Sequence, residues 1–256
     1  MAVPESLSDR PVIVLSPHLG DAALGCGYLL SQLARSTPVT VMTLFTHSRD
    51  DSPTRPARSF LDKRNARRAP ALYAQRRAED SLALRSIEVT PVHFGLHDAL
   101  FRRRTDRNLP KVVRNVLPEL SVVYPTYRWH IVSGVLSPLD FPLVDELVQR
   151  VLLATTEDDV ILAPLGLSGN VDRVLTHQVG LALARSDRHV GFYADQPDAQ
   201  NMETEVPTPE GTERLKFDVD QTAKAQFLER YSTHVRSELG KRIPVLDETV
   251  FLPASL

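Results

Sequence analysis

VIVLSPHLGDAALGCG, residues 12–27, is the stretch whose reading decides the fold. Its first five residues, VIVLS, are apolar or small and rich in β-branched side chains, with no polar alternation, which is the pattern of a strand buried on both faces. Such strands belong to sheets covered by helices, and the run after the turn has helical periodicity. In an open parallel sheet, ligands bind beyond the carboxyl ends of the strands, so His18 and Asp21 stand at the reactive edge. The plainer account is that His18 closes the strand and Asp21 N-caps the next helix. His-x-x-Asp alone does not separate the two. No G-x-G-x-x-G follows, since GCG runs on into Tyr28 and Leu29, and dinucleotide binding has little support.

Working outward, further apolar runs lie at 39–46, 90–95, 160–164 and 190–194. Helices are expected over 22–35, 71–87, 142–155, 172–186 and 219–239. The alternation predicts an α/β fold, Rossmann-like, with a mostly parallel sheet and helices on both faces. In the 71–87 helix, Leu72, Ala83, Leu84 and Ile87 form the apolar face, with Arg76, Arg77, Glu79 and Asp80 turned to water or a pocket. The segments 47–70 and 196–218 read as long loops, mobile or functional. One domain over 1–256 is expected, without internal repeats.

Composition narrows the function classes. The formal net charge of −2 gives no global attraction to nucleic acid, and the basic run at 55–77 and the triplet Arg102–Arg104 read as solvated faces. The single cysteine, Cys26, excludes an intramolecular disulfide and reads as a small buried hydrophobe. No export signal or long apolar span is read, so a cytoplasmic protein with no membrane association is expected. There is no P-loop and no G-x-S-x-G elbow.

With its flanks, SPHLGDAALGCG resembles the P-H-x-D-D opening of the PIG-L/LmbE-like family, zinc-dependent N-deacetylases acting mainly on amino-sugar substrates. RRAEDSLALRSIEVTPVHFGLHDALFR (76–102) is similar to the family's arginine-and-glutamate helix, strand and Asp-containing turn. LAPLGLSGNVDRVLTHQVGLALA (162–184) is similar to its late strand, glycine turn and H-x-D-H helix start. FYADQPDA (192–199) and the KAQFLERYSTH helix match later segments in the same order.

The resemblance implies zinc held by His18 and Asp21, with a base at position 20 and a third ligand at position 173. Gly20 stands at the base position. Asn170 and Arg173 stand where the H-x-D-H element has its histidines, with Asp172 retained between them. A guanidinium has no lone pair to give a metal, and its fixed charge about 4 Å from a dication costs on the order of several kcal/mol at an effective dielectric near 20. The missing carboxylate at 20 removes a contribution typically worth about 10²–10⁴-fold. The expectation is therefore a vestigial site of His18, Gly20, Asp21, Asn170, Asp172 and Arg173, with no metal or other cofactor, in which Arg173 pairs with Asp21 and Asp172 in the old zinc volume. Arg173, Asn170, His47, His97 and Asp98 are candidates for substrate contacts. His177 lies a helical turn beyond Arg173, and His93 reads as a satisfied core residue.

Three readings remain open at this point. The first is a degenerate deacetylase-fold protein that has lost hydrolysis and acts as a small-metabolite binder, a subunit beside a protein partner of the same pathway, or a homo-oligomer, in bacterial specialised-metabolite biosynthesis. The second is a zinc-dependent N-deacetylase with rearranged ligands. The third is a non-metal enzyme using His18 with Asp21 or Asp172 and an Arg173 anion clamp.

Overall fold

The computed structural model describes residues 4–107, 109–202, 206–233, 239–240 and 243–254. A four-residue helix, α1 (Glu5–Ser8), precedes β1 (Val12–Ser16), which leads into α2 (Asp21–Leu33) and β2 (Val39–His47). Next come α3 (Arg55–Lys63), α4 (Ala69–Arg85), β3 (Thr90–His97) and the short α5 (Lys111–Val116). After a π-turn at Tyr127–Ile131 follow α6 (Phe141–Ala154), β4 (Val160–Pro164), α7 (Val171–Ala184) and β5 (His189–Tyr193). The chain ends in β6 (Thr212–Phe217), α8 (Gln221–Leu228) and β7 (Glu248–Pro253).

The seven strands form one sheet in the order β3-β2-β1-β4-β5-β7-β6. β1 to β5 run parallel, with Val12 opposite Val39 on one side and Val160 on the other, while β7 runs antiparallel to both β5 and β6. Alternate residues of β1 serve opposite cores. Val12 and Val14 pack with α2 and α8 through Leu29, Leu30 and Leu228. Ile13 and Leu15 pack with α6 and α7 through Leu147, Val151 and Leu175. All five β1 residues are buried, each large apolar one contributing about 1.5–3 kcal/mol, and this central strand carries its C-terminal edge into the site.

A third apolar cluster lies at that edge and joins Leu19 to α3, α4 and the turns after β3 through Ala57, Leu61, Tyr73, Phe101 and Ile131. The segment 47–70 is therefore not a continuous loop. Thr54 caps α3, its hydroxyl accepting from the Ala57 amide at 3.3 Å, and Pro56 sits in the first turn, where no intrahelical donor is needed. Its high charge hid the buried Ala57 and Leu61 pair, four residues apart.

The segment 196–218 likewise holds β6. The helix expected over 219–239 is observed for Gln221–Leu228, and positions 234–238 of that expectation lie outside the described residues. On α4, Leu72, Ala83 and Leu84 are buried as read, but so are Arg76 and Asp80, the latter accepting from or facing His93 Nε2 at 2.9 Å. α2 departs from helical geometry at Cys26, and the Tyr28 and Leu29 amides donate to Glu248, which pairs with the buried Lys224. Gly25 permits this packing, since a Cβ there would lie 2.6 Å from the Tyr193 ring. Among the described residues, no helix is long and apolar enough to cross a membrane.

Candidate active site

The turn after β1 is fixed by its own hydrogen bonds. Ser16 Oγ donates to the His18 carbonyl at 2.8 Å and accepts from the Ala22 amide at 3.1 Å. Gly20 adopts φ +97°, a left-handed conformation that glycine takes without a Cβ penalty, and this starts α2 immediately at Asp21. The Asp21 carboxylate then folds back, accepting from the His18 amide at 3.2 Å and meeting His18 Nδ1 at 3.0 Å. The ring's other nitrogen consequently points away from Asp21 and into the site.

There Nε2 meets Asp172 Oδ2 at 3.1 Å and Asp98 Oδ2 at 3.7 Å. Asp172 is brought in by the start of α7, where Asn170 caps the helix and accepts from the Asp172 amide at 2.9 Å. Its carboxylate accepts from the Ala99 amide at 2.8 Å and pairs with Arg102. Asp98 follows β3; Tyr73 donates its hydroxyl to Oδ2 at 2.6 Å and the Leu100 amide donates to Oδ1 at 2.9 Å. One donor atom from each of His18, Asp98 and Asp172 lies within 4.8 Å of the others.

Two arginines flank this triad. Arg102 stacks over Phe45, with 4.6 Å from its guanidinium carbon to the ring centroid, and joins Asp172 to Asp140, which in turn accepts from Tyr124 at 2.7 Å. Arg173 donates to Asp21 at 3.0 and 3.4 Å and pairs with Asp198. Carboxylates and cations thus alternate from Asp140 through Arg102, Asp172, His18, Asp21 and Arg173 to Asp198. Burial opposes the charged form of His18, but its hydrogen bonds to Asp172 and Asp21 and the charges of Asp21 and Asp98 outweigh that and push its pKa up to about 10. Burial likewise opposes charge on both arginines, and their acids hold them charged. For Asp172, burial works against ionisation, while Arg102 and then His18 bring its pKa below the usual carboxylate value.

Two members of the triad, His18 and Asp98, line a cavity of about 480 Å³ together with Asp21, Asn170 and Arg173, while Asp172 is fully buried and outside that lining. His47 and His97 are outside that lining: His47 bonds with Thr46 Oγ1 at 3.2 Å, and burial with the charges of Arg49 and His47 pulls His97 down to about 4. His177 faces the Pro164 carbonyl at 2.9 Å, away from the triad's donors. Of the two acids expected to pair with Arg173, Asp21 does so, while Asp198 stands in place of Asp172. Consecutive helical residues point about 100° apart, so Asp172 and Arg173 serve different neighbours. Arg102 is a buried member of the charge chain rather than part of a solvated triplet, and neither its role nor those of Tyr73 and Asp140 was read from sequence. The position of Arg102 directly behind the Asp98 turn is the one local signal that marks it.

No family model matches the sequence. The chain is 29% identical over 202 residues to the 2'-N-acetylparomamine deacetylase of Streptomyces fradiae, a match covering 75% of this chain and 59% of that protein. It therefore spans less than two thirds of the length of that relative. Among solved structures, the zinc-inhibited form of teicoplanin deacetylase Orf2 superposes with a TM-score of 0.73 at 21% identity, over 94% of this chain and 97% of that one. The A40926 pseudoaglycone deacetylase Dbv21 gives 0.69 at 20% identity, over 95% and 96%. At these identities the structural likeness is one of fold.

Proposed function

We propose that this chain, which has the PIG-L/LmbE-type deacetylase fold, is a metal-dependent N-deacetylase of an N-acyl amino sugar or related small molecule of specialised-metabolite biosynthesis, with its metal ligands rearranged. The observation that carries this reading is the convergence of His18 Nε2 with oxygens of Asp98 and the buried Asp172, His18 and Asp98 being on the cavity lining. Histidine and carboxylate are hydrolytic zinc ligands, and two of them bound at their usual lengths to a tetrahedral ion lie roughly 3.3–3.5 Å apart. The separations of 3.1 and 3.7 Å from Nε2 bracket that value, and all three donor atoms lie within 4.8 Å of one another, which supports this donor set as a site for the ion.

Each proposed ligand is oriented from behind, as metal ligands commonly are. Asp21 fixes the His18 ring through Nδ1, Tyr73 holds Asp98, and the Ala99 amide with Arg102 holds Asp172. A divalent cation bound here would polarise an acyl carbonyl and acidify water. Asn170, on the cavity lining, offers its side-chain amide toward an acyl oxygen as charge develops on it. Gly20 leaves no carboxylate at the place the resemblance gives to the base, so slow turnover is expected, with proton acceptance about 10²–10⁴-fold less effective than with an acid there.

A second reading, a non-hydrolytic metabolite-binding protein or partner subunit, is supported by the buried Arg173–Asp21 pair, which puts a guanidinium at the register position of a third ligand. Metal analysis separates the two. Protein purified without chelator and dialysed against micromolar zinc should retain one ion per chain, Asp98→Asn should lose it, and the loaded wild type should release acetate from N-acetylglucosamine or an N-acetylated aminoglycoside. Absence of stoichiometric metal would overturn the first reading in favour of the second.

A further inference from the structure

The cavity is walled on one side by the π-turn Tyr127–Ile131, which lies between β3 and α6 and has no task in the proposed reaction. The Ile131 amide donates to the Thr126 carbonyl at 3.2 Å and the Val132 amide to the Tyr127 carbonyl at 3.0 Å, each across five residues. Such π-turns are rare and are found often at functional sites. Tyr127 and Ile131, four residues apart, both reach the cavity lining. Ile131 is buried in the third apolar cluster and anchors the turn, whereas Tyr127 is 56% exposed. The Gly134 amide donates to the Gly169 carbonyl at 2.8 Å, which ties the turn to the residue preceding Asn170. Tyr127 is thus held in register with the side-chain amide offered to an acyl oxygen.

Two features of Tyr127 point to a ligand. Among the described residues its ring meets no other ring and its hydroxyl has no hydrogen-bond partner, so a large aromatic surface on the cavity lining is left uncovered. The second feature is the mixed character of the lining. Phe60 of α3 lies on it, backed by the rings of Tyr73 and Phe101 with centroids 6.3 and 6.4 Å away, and the exposed Ser59 lies beside it on the same helix. A hydrocarbon chain laid here would take the Ser59 hydroxyl out of water without a hydrogen bond in return. An extended polar chain would leave the aromatic surface in water. A closed sugar ring has both characters: one face of C–H bonds, suited to the electron-rich face of an aromatic ring, and a rim of hydroxyls.

We infer that Tyr127 is a specificity-determining contact, receiving the C–H face of a closed sugar ring beside Phe60, while the N-acyl group on that ring reaches toward Asn170, His18 and Asp98. The cavity of about 480 Å³ lies within the range of small-molecule sites, about 300–1,000 Å³. The inference deepens the proposed function, on which it rests only in taking this cavity as the substrate site. What it adds is selection of a ring over an open chain, made by a residue outside the charge chain. It requires neither bound metal nor turnover.

Calorimetric titration of the chelator-treated full chain tests it with three probes: methyl β-N-acetylglucosaminide, its ring-opened counterpart N-acetylglucosaminitol, and the N-octanoyl form of the glycoside. The glycoside should bind roughly tenfold more tightly than the open-chain alditol, as covering one ring face implies. The N-octanoyl form should gain no more than about twofold over the N-acetyl one, since its chain finds no dry slot. Saturation-transfer NMR of the bound glycoside should mark the axial hydrogens of one ring face most strongly. Tyr127→Phe should keep the ring preference, and Tyr127→Ala should reduce it to within about twofold. Circular dichroism checks that the alanine variant folds; should it not, the saturation pattern in the wild type decides the question.

Equal binding of glycoside and alditol, no binding of the glycoside, a preference that survives Tyr127→Ala, or a tightening by the octanoyl chain that Tyr127→Ala abolishes would overturn the inference. Hydrolysis by the zinc-loaded protein with no ring preference would count against this inference alone. A Tyr127-dependent ring preference in protein that retains no zinc would count against the proposed function alone.

Discussion

Arg173→Met tests whether the guanidinium is what makes a buried Asp21 tolerable. Asp21 is 4% exposed and accepts from Arg173 at 3.0 and 3.4 Å, so the substitution leaves its charge inside the protein. Breaking a buried pair from one side typically costs about 3–5 kcal/mol. Here the carboxylate retains its contacts with the His18 amide at 3.2 Å and Nδ1 at 3.0 Å, which places the cost near the lower end, about 3 kcal/mol. With an unfolding entropy of about 2.1 cal/mol/K per residue, a chain of 256 residues loses roughly 2 °C of Tm per kcal/mol, or about 6 °C in all. Asp21→Asn alone should cost less, because Arg173 keeps Asp198, whose side chain is 30% exposed and reaches solvent. Adding Asp21→Asn to Arg173→Met removes the stranded charge, so the double variant should be more stable than the sum of the single losses by at least about 1.5 kcal/mol. Urea unfolding of the four chelator-treated proteins measures this coupling. Losses that add within about 0.5 kcal/mol would refute the idea that Arg173 is the charge partner of Asp21.

Tyr73→Phe removes the 2.6 Å donor to Asp98 while keeping the ring in its cluster, so stability should fall by about 1–2 kcal/mol and zinc affinity by about 10–100-fold. Competition with a chromophoric chelator reads the affinity, and an unchanged value would remove Asp98 from the ligand set. Asp195 gives a pH signature distinct from the metal. Burial, opposed by Arg173 and the Leu167 amide, pushes its pKa from 3.8 to about 6. The folded state therefore holds the extra proton between those values, and the Asp195 contribution to stability should be fully present below about pH 4 and fall by about 3 kcal/mol as pH rises through 6. In unfolding curves taken across that window, Asp195→Asn should lack this component; parallel curves for the two proteins would mean that the Asp195 carboxyl titrates normally.

The parts of the fold that were legible in sequence are those where burial imposes a local period. β1 and β4 are buried at every position because both faces are covered, so they lack polar alternation, and the same constraint places His18 two residues past the end of β1. α3 escaped because arginines surround a stripe only two buried residues long, and its Pro56 stands in the first turn, where proline favours helix. β6 and β7 pair as an antiparallel ribbon at the far edge of the sheet, and half-exposed positions such as those of β6 lack the strong apolar run that marked β1.

The site was legible only in halves, for the same reason. His18 and Asp21 are three residues apart and lie on one turn, whereas Asp98, Arg102, Asp140 and Asp172 meet through the sheet order, which no local pattern encodes. The resemblance supplied position 173 and, with it, the expectation that an arginine there empties the site of metal-binding capacity. Geometry qualifies that argument. Because Arg173 points to Asp21 and Asp198, its charge is taken up on the Nδ1 side of His18, while Asp172, one residue earlier on the helix, faces Nε2 and Asp98. The side chain that removes a ligand in one register thus sits on the opposite side of the imidazole from the three donors that converge in another, and the loss of the first set does not by itself remove the second.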